Sequence, residues 1–361
     1  MNDLKYMHLA LRLALKGKGK TSPNPLVGAV VVKNGEIIGR GYHRQAGKRH
    51  AEIVALDEAG KKARGSTLYV SLEPCATYGR TPPCVDRIIK EGVKKVVIGM
   101  LDPNLVNRKK GIRKLKTQNI DVKTGVLRKE AEELNKCWIK FITQRESYVI
   151  LKVARSLDGK IATFTGDSKW ITSPAARGYV HRLRSEVDAI LVGINTVLQD
   201  DPLLSARLSE KRLYRHQPAK IILDSHLRIP LEAKIFSRRS PAPVIIATTK
   251  FAPLSKIKKL EKRGVQVLIV KAKDRKVDLK MLVGELAKME IVCLLIEGGG
   301  EVFESAIESK IVDEFLVFIA PKIFGNVSKI SQAQRLSSLE VRRVGKDILV
   351  AGKIKNRISN V

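Results

Sequence analysis

Long apolar runs are missing from this chain. The longest, around Val96–Leu101, Val292–Ile296 and Phe315–Ala320, have the length of buried strands and fall well short of the ~18–20 residues a membrane-spanning helix needs. An export signal is missing too. MNDLKYMHLALRLALKGKGK has an early acid and Arg12 inside its apolar stretch. Leu4, Met7, Leu11 and Ala14 recur there at helical spacing, which predicts an amphipathic first helix and, by default, a cytoplasmic protein. Cysteine is scarce: four in 361 residues do not make a disulfide framework. Cys75 and Cys84 lie close together, whereas Cys137 and Cys293 stand alone and read as small buried hydrophobes. Repeats and low-complexity linkers are absent. At 44% hydrophobic and 29% charged the composition is that of a globular protein, not of a disordered chain or a coiled coil.

Acidic residues are few. There are 36 Asp and Glu against 68 Lys and Arg, a net charge of +32, which raises the question of nucleic acid. The excess is spread evenly, however, with a surplus of 16 on each side of residue 150. A dedicated nucleic-acid arm would concentrate it. The densest stretch, Arg108–Lys116, reads as a solvated face, and anionic small-molecule substrates fit an evenly basic chain.

What is present is a repeated alternation of strand and helix patterns, interrupted near Gln144–Ser147. Val27–Val32, a turn at Lys33–Gly35 and Glu36–Gly41 predict a hairpin. Helices are expected at Ala51–Ala59, Cys84–Glu91 and Lys129–Phe141, and strands at Thr67–Ser71 and Lys95–Gly99. Beyond Tyr148–Ala154, strands are expected at Ala189–Val192, Lys220–Leu223, Val244–Ala247, Val265–Val270, Val292–Ile296 and Glu314–Ile319, with helices at Pro174–Ser185 and Val302–Ser309. Two α/β domains in tandem, residues 1–146 and 147–361, are the economical reading.

The first half carries His50-Ala51-Glu52, then Pro74-Cys75, then Cys84. One His and two Cys are the three ligands a catalytic zinc keeps when its fourth position stays open. A carboxylate beside them, Glu52, can move protons, as in the zinc deaminases of nucleobases. On a regular helix, residues two apart point to nearly opposite faces. His50 and Glu52 must therefore sit at a loop-to-helix junction to share a pocket. Cys84 also precedes a helix, whose first amides favour a thiolate. A closed structural zinc site would want a fourth Cys or His nearby, and no further Cys lies within 50 residues of Cys84.

Eight residues separate Cys75 from Cys84, against two in most zinc deaminases. PCATYGRTPPC, together with TSPNPLVGAVVV and GYHRQAGKRHAE, closely resembles the pyrimidine deaminase domain of the riboflavin pathway. That resemblance implies a cytidine-deaminase-like three-layer α/β/α domain acting on a diaminopyrimidinone that bears a phosphoribosylamino group. It places Asn24 and His43 on the substrate, zinc on His50, Cys75 and Cys84, and proton transfer on Glu52. DPNLVNRKKGI departs from the family pattern, lacking a second proline and one glycine.

The second half resembles the riboflavin reductase domain, similar in fold to dihydrofolate reductase. The likeness rests on KVARSLDGKIA, GDSKWIT, DAILVGINTVLQDDPLL and LIEGGGEV. In IEGGG, a glycine run between a strand and a helix lets backbone amides approach a pyrophosphate. The resemblance implies NADPH, preferred over NADH, at Ala154, Trp170, Thr196, Asp200, Ser225, Gly299, Gly300 and Ser305. It implies substrate at Ser168, Arg184, Leu204, Arg207 and Glu297. Arg184 and Arg207 are candidate phosphate clamps, and Lys152 a catalytic group that polarises or hydrates the ribose-derived imine, with Asp200 holding it or the ring. No residue in the sequence stands out as the reader of the 2′-phosphate.

The expected activity is thus bifunctional: hydrolytic deamination of the pyrimidine, then reduction of its ribosyl group to ribityl. Phosphorylated pyrimidines would be the partners, with no specific nucleic acid and no membrane, and a homo-oligomer stays open. The rival reading is a tRNA deaminase with a basic C-terminal RNA-binding module.

Overall fold

The computed structural model describes residues 2–78, 82–161, 171–209, 212–237, 242–322 and 336–354. The chain divides into two compact units, Met1–Arg145 and Glu146–Val361. Among the described residues no helix is long and apolar enough to cross a membrane.

The first unit runs α1 (Asn2–Ala14), β1 (Gly28–Lys33), β2 (Glu36–Tyr42), α2 (Ala51–Ala59), β3 (Thr67–Leu72), α3 (Cys84–Lys90), β4 (Lys95–Met100), α4 (Lys110–Thr117), β5 (Asp121–Thr124), α5 (Arg128–Leu134) and α6 (Lys136–Gln144). Its sheet has the order β2-β1-β3-β4-β5. The β1–β2 hairpin turns on Asn34 and Gly35, both at positive φ, as a tight two-residue turn requires. Gly28 pairs with Tyr42 and Ala29 with Gly41, so Gly28 and Gly41 face opposite sides of the sheet. A Cβ on Gly28 would collide with the Ala10 carbonyl of α1, and one on Gly41 with the Ala51 carbonyl of α2. The two helices therefore sit on opposite faces, each seated where the strand has no side chain.

Several details differ from expectation, among them strands at Asp121–Thr124, Leu336–Val344 and Asp347–Ile354 that the sequence pattern does not mark. In α1 the buried stripe is Tyr6, Met7, Ala10, Leu11, Leu13 and Ala14, while Leu4 is 51% exposed. The single helix expected over Lys129–Phe141 is two, broken at Asn135. That residue leaves helical geometry (φ −107°, ψ 16°) because its buried amide brackets Leu26, accepting from its N–H at 2.8 Å and donating to its carbonyl at 3.0 Å. The basic run at Arg108–Lys116 does form a solvated face, on α4, with Gly111 and Leu115 turned inward. Of the lone cysteines Cys293 is buried, whereas Cys137 is only half-buried.

The second unit runs β6 (Tyr148–Arg155), α7 (Pro174–Arg184), β7 (Ala189–Gly193), α8 (Ile194–Asp200), β8 (Ala219–Leu223), β9 (Val244–Thr248), α9 (Leu254–Glu261), β10 (Gln266–Ile269), β11 (Ala272–Lys273), β12 (Lys276–Val277), α10 (Leu279–Lys288), β13 (Cys293–Glu297), α11 (Gly300–Glu308), β14 (Glu314–Ile319), β15 (Leu336–Val344) and β16 (Asp347–Ile354). Its main sheet has the order β10-β9-β8-β7-β13-β6-β14-β16-β15, parallel from β10 to β14 and closed by the antiparallel β16 and β15. β7 and β13 are buried along their full length, as expected for strands covered on both faces. The parallel order brings the carboxyl ends of β6, β13, β7 and β8 to one edge, where an open α/β sheet places its ligands.

Candidate active sites

In the first unit, His50 is the cap of α2, in extended geometry (φ −71°, ψ 162°), and Glu52 lies in the first turn. The junction that the His-x-Glu spacing demanded is thus formed. Cys75 follows β3, and Cys84 opens α3. The Nδ1 atom of His50 lies 3.2 Å from Cys84 Sγ and 3.7 Å from Cys75 Sγ. All three ligand atoms fall within 4.8 Å of one another. One imidazole nitrogen and two sulfurs converging on a point are the donor set of a zinc site with an open position.

The helix-end amide works differently from expectation. The Cys84 N–H donates to Cys75 Sγ at 3.3 Å, so the sulfur it favours is that of Cys75. Hydrogen bonding from Cys84, against the opposing effect of burial and with His50 assisting, brings the Cys75 thiol down to about 4. The Cys84 thiol is pushed well above its ordinary value, chiefly by its bond to Cys75. Glu52 is 4% exposed, and burial raises its carboxyl to about 7, suiting a group that must both take and return a proton.

Asn24 and His43 meet beside this cluster. The Asn24 amide lies 3.1 Å from His43 Nε2, and His43 Nδ1 donates to the Arg49 carbonyl at 3.2 Å. The His43 ring stands edge-on to that of His50, centroids 5.4 Å apart. Buried at 3% exposure, His43 has its pKa lowered by desolvation.

Sequence reasoning missed a second layer. The Glu73 carboxylate accepts from the amides of Asp102 and Lys109, Asp102 accepts from the Asn107 side chain at 2.7 Å, and Asn107 Oδ1 accepts from the Ala76 amide at 2.9 Å. The residue after Cys75 is therefore tied to the DPNLVN loop. That loop was the signal, flagged by its departure from the family pattern. Lys109 adopts φ 62° there, a left-handed conformation that a glycine takes at less cost.

In the second unit a cavity of 840 Å³ opens at the shared strand edge. Lys152 and Ala154 (β6), Thr196 and Asp200 (α8), Leu204 and Arg207 beyond it, and Ser225 after β8 all line it. Arg184 (α7), Glu297 (β13), and Gly299, Gly300 and Ser305 at α11 complete that wall. Ser168 and Trp170 lie outside the described residues. Gly298 and Gly299 adopt φ of 86° and 90°, the turn that swings the chain from β13 into α11.

Glu297 is the centre of a buried ion cluster. Arg184 reaches it with Nε at 2.8 Å and Nη2 at 3.0 Å, and Lys152 Nζ lies 3.3 Å away. Burial alone would raise the carboxyl; Arg184 first, then Lys152, outweigh it and hold it at about 2. Two expectations change here. The carboxylate holding Lys152 is Glu297 and not Asp200. Arg184 gives its fork to Glu297 and a third bond to the Ser205 carbonyl, so of the two clamp candidates only Arg207 keeps a buried Nε without a partner. His181, unmarked in the sequence, also lines the cavity and donates to the same carbonyl. Burial, then the charges of Arg184 and Arg207, push it down to about 4.

The model of the RibD C-terminal domain matches residues 147–350, and that of the cytidine and deoxycytidylate deaminase zinc-binding region matches residues 1–100. The riboflavin biosynthesis protein RibD of Aquifex aeolicus (strain VF5) is 47% identical over 358 residues, 96% of this chain and 97% of that one. That of Escherichia coli (strain K12) is 39% identical, over 96% and 98%. The chain belongs to the RibD family. Acinetobacter baumannii RibD superposes with a TM-score of 0.88 at 36% identity, covering 98% of this chain and 99% of that one. A Thermotoga maritima deaminase/reductase superposes at 0.85 with the same identity and coverage.

As a RibD the protein is a bifunctional enzyme of riboflavin biosynthesis, with a cytidine-deaminase-like zinc deaminase followed by a dihydrofolate-reductase-like reductase that uses NADPH. A likeness spanning nearly the whole chain disfavours a tRNA deaminase with an appended RNA-binding module. Zinc content tests the site directly. The purified protein should hold one metal ion per chain, and Cys75→Ala should lose it; full stoichiometry in that variant, measured by metal analysis, would mean different ligands.

Proposed function

We propose that residues 1–146 deaminate a diaminopyrimidinone bearing a phosphoribosylamino group and that residues 147–361 reduce its ribosyl group. The observation carrying this reading is the pairing of a His50–Cys75–Cys84 donor set with a buried carboxylate, Glu52, in one unit, and of Lys152 with Glu297 in the other. His50, Cys75 and Cys84 hold zinc, which supplies the Lewis acidity that makes water a nucleophile near neutrality. Glu52 relays the two protons of the attacking water, the first to the ring nitrogen and the second to the departing amine. Asn24 orients His43, and both face the pyrimidine.

In the reductase, NADPH supplies the hydride. Lys152, fixed by Glu297, directs its ammonium at the ribose-derived imine and polarises it. Arg184 acts through Glu297, and Leu204 shapes the pocket. Ala154, Thr196, Asp200, Ser225, Gly299, Gly300 and Ser305 seat the dinucleotide, with Trp170 beside it and Ser168 on the substrate. Arg207 binds the substrate phosphate, since its open guanidinium donor matches an anionic oxygen. Replacing Arg207 with alanine should raise KM for the phosphorylated substrate by about tenfold or more, the worth of a charge-assisted hydrogen bond. The dephosphorylated analogue should be affected little; equal losses on both would assign Arg207 to another part of the substrate. The partners are small phosphorylated pyrimidines, met in the cytoplasm as a monomer or homo-oligomer, and affinity for RNA is non-specific and fades steeply with salt.

A further inference from the structure

The parallel strands of the second unit lay the cavity out in a line. Neighbouring strands are about 4.8 Å apart, and the order across the site is β9, β8, β7, β13, β6. The glycine run and the start of α11 lie at the end of β13, where backbone amides suit a pyrophosphate. The buried Lys152–Glu297–Arg184 cluster lies on the β13–β6 side, which is where the reacting atoms belong. A dinucleotide with its pyrophosphate at α11 must then send its adenosine half the other way, past β7 to the end of β8.

Two cations line the cavity on that side, Arg228 and Lys276, and each is mounted on an anchored turn. Arg228 stands between the buried Leu227 and Ile229. The buried Asp224 pins that turn by accepting from the Ile229 amide with its side chain and from the Leu227 amide with its carbonyl. Lys276 sits on the β11–β12 hairpin, tied down by the Val277 amide donating to Ser225 Oγ at 3.1 Å. Ser225 thus lies where the two turns meet. Arg228 bonds the neutral Asn195 side chain at 2.8 Å, and no carboxylate among the described residues pairs with it. Lys276 is only loosely paired with Glu301, at 3.8 Å and with both side chains mostly exposed. Both cations keep donors for an anion in the cavity.

We propose that Arg228 and Lys276 read the 2′-phosphate of NADPH and so set the preference for it over NADH. The proposal rests on NADPH being the reductase's cofactor. A fork of donors and a point charge on rigid turns, bracketing a hydroxyl, match a phosphate dianion, and an unphosphorylated ribose offers them nothing to neutralise.

The test is calorimetric binding of adenosine 2′,5′-bisphosphate and of 5′-AMP to the full chain, at a salt concentration that screens long-range attraction. Wild type should bind the bisphosphate at least about tenfold more tightly. Arg228→Ala and Lys276→Ala should each weaken the bisphosphate by about tenfold while leaving 5′-AMP unchanged. The double variant should no longer tell the two apart. Discrimination that survives in the double variant would overturn the assignment while leaving the NADPH reading intact. Equal loss of both ligands would also overturn it, as the mark of a general field. A wild type that does not discriminate would remove the NADPH reading and the proposal together.

Discussion

Replacing Glu52 with glutamine is expected to stop ammonia release and leave NADPH oxidation untouched. Glutamine nearly matches glutamate in size and lies outside the metal's donor set, so metal and fold should survive. What disappears is the carboxylate proposed to relay the two protons of water, one to the ring nitrogen and one to the leaving amine. General acid/base groups typically contribute ~10²–10⁴-fold, and one serving several transfers lies at the upper end of that range. Reduction takes place in the other unit, at a different carbon. Given the already deaminated pyrimidine, the variant should oxidise NADPH at the wild-type rate. A joint fall in both activities with zinc retained would contradict the two-site account. A fall in neither would reduce Glu52 to a structural residue.

The second large effect is expected at Glu297. Glutamine there leaves Arg184 and Lys152, both partly buried, without their counter-charge. Removing one partner of such a cluster costs about 3–5 kcal/mol, so the C-terminal unit should unfold at a clearly lower temperature. Reductase turnover should collapse as Lys152 loses the group that fixes its direction, while ammonia release is retained. The pH dependence has a definite sign. The folded-state pKa of Glu297 is depressed to about 2, below its ordinary 4.5, so its contribution is complete above about pH 4.5 and disappears as pH falls toward 2. Calorimetric melts of wild type and Glu297→Gln should therefore converge on acidification through that window. Parallel melting curves across it would show that the carboxylate is not what holds the cluster.

Much of this was legible in the sequence because it rests on local rules. The Asn34-Gly35 hairpin, the central strands of both sheets and the loop-to-helix seat of His50 and Glu52 follow from turn chemistry, alternation and helix geometry, whereas the edge strands β5, β15 and β16 carry no pattern strong enough to mark them. The illegible parts are matters of distant contact. Nothing local to Asn135 says that its amide will bracket Leu26, 109 positions away, and so break a helix. Lys152 and Asp200 both belong to the reductase half, but only the adjacency of β6 and β13, strands far apart in the chain, shows that Glu297 is the carboxylate facing Lys152. Likewise, Arg184 and Arg207 look equivalent as sequence; the buried Nε of one is bonded to Glu297 and that of the other has no partner. Of the Glu73–Asp102–Asn107 layer only the altered DPNLVN loop is marked in the sequence, since its members gain meaning only from the amides they meet.

The most direct measurement supplies the wild-type chain with the phosphorylated diaminopyrimidinone, first without and then with NADPH, and reads ammonia and NADPH oxidation separately. Without the cofactor, ammonia should appear and the deaminated ribosyl compound should accumulate. On its addition, NADPH should be oxidised in amounts equal to the ammonia released, with the ribityl product formed. Ammonia without any subsequent oxidation, or oxidation without ammonia, would contradict an enzyme that carries both steps on one chain.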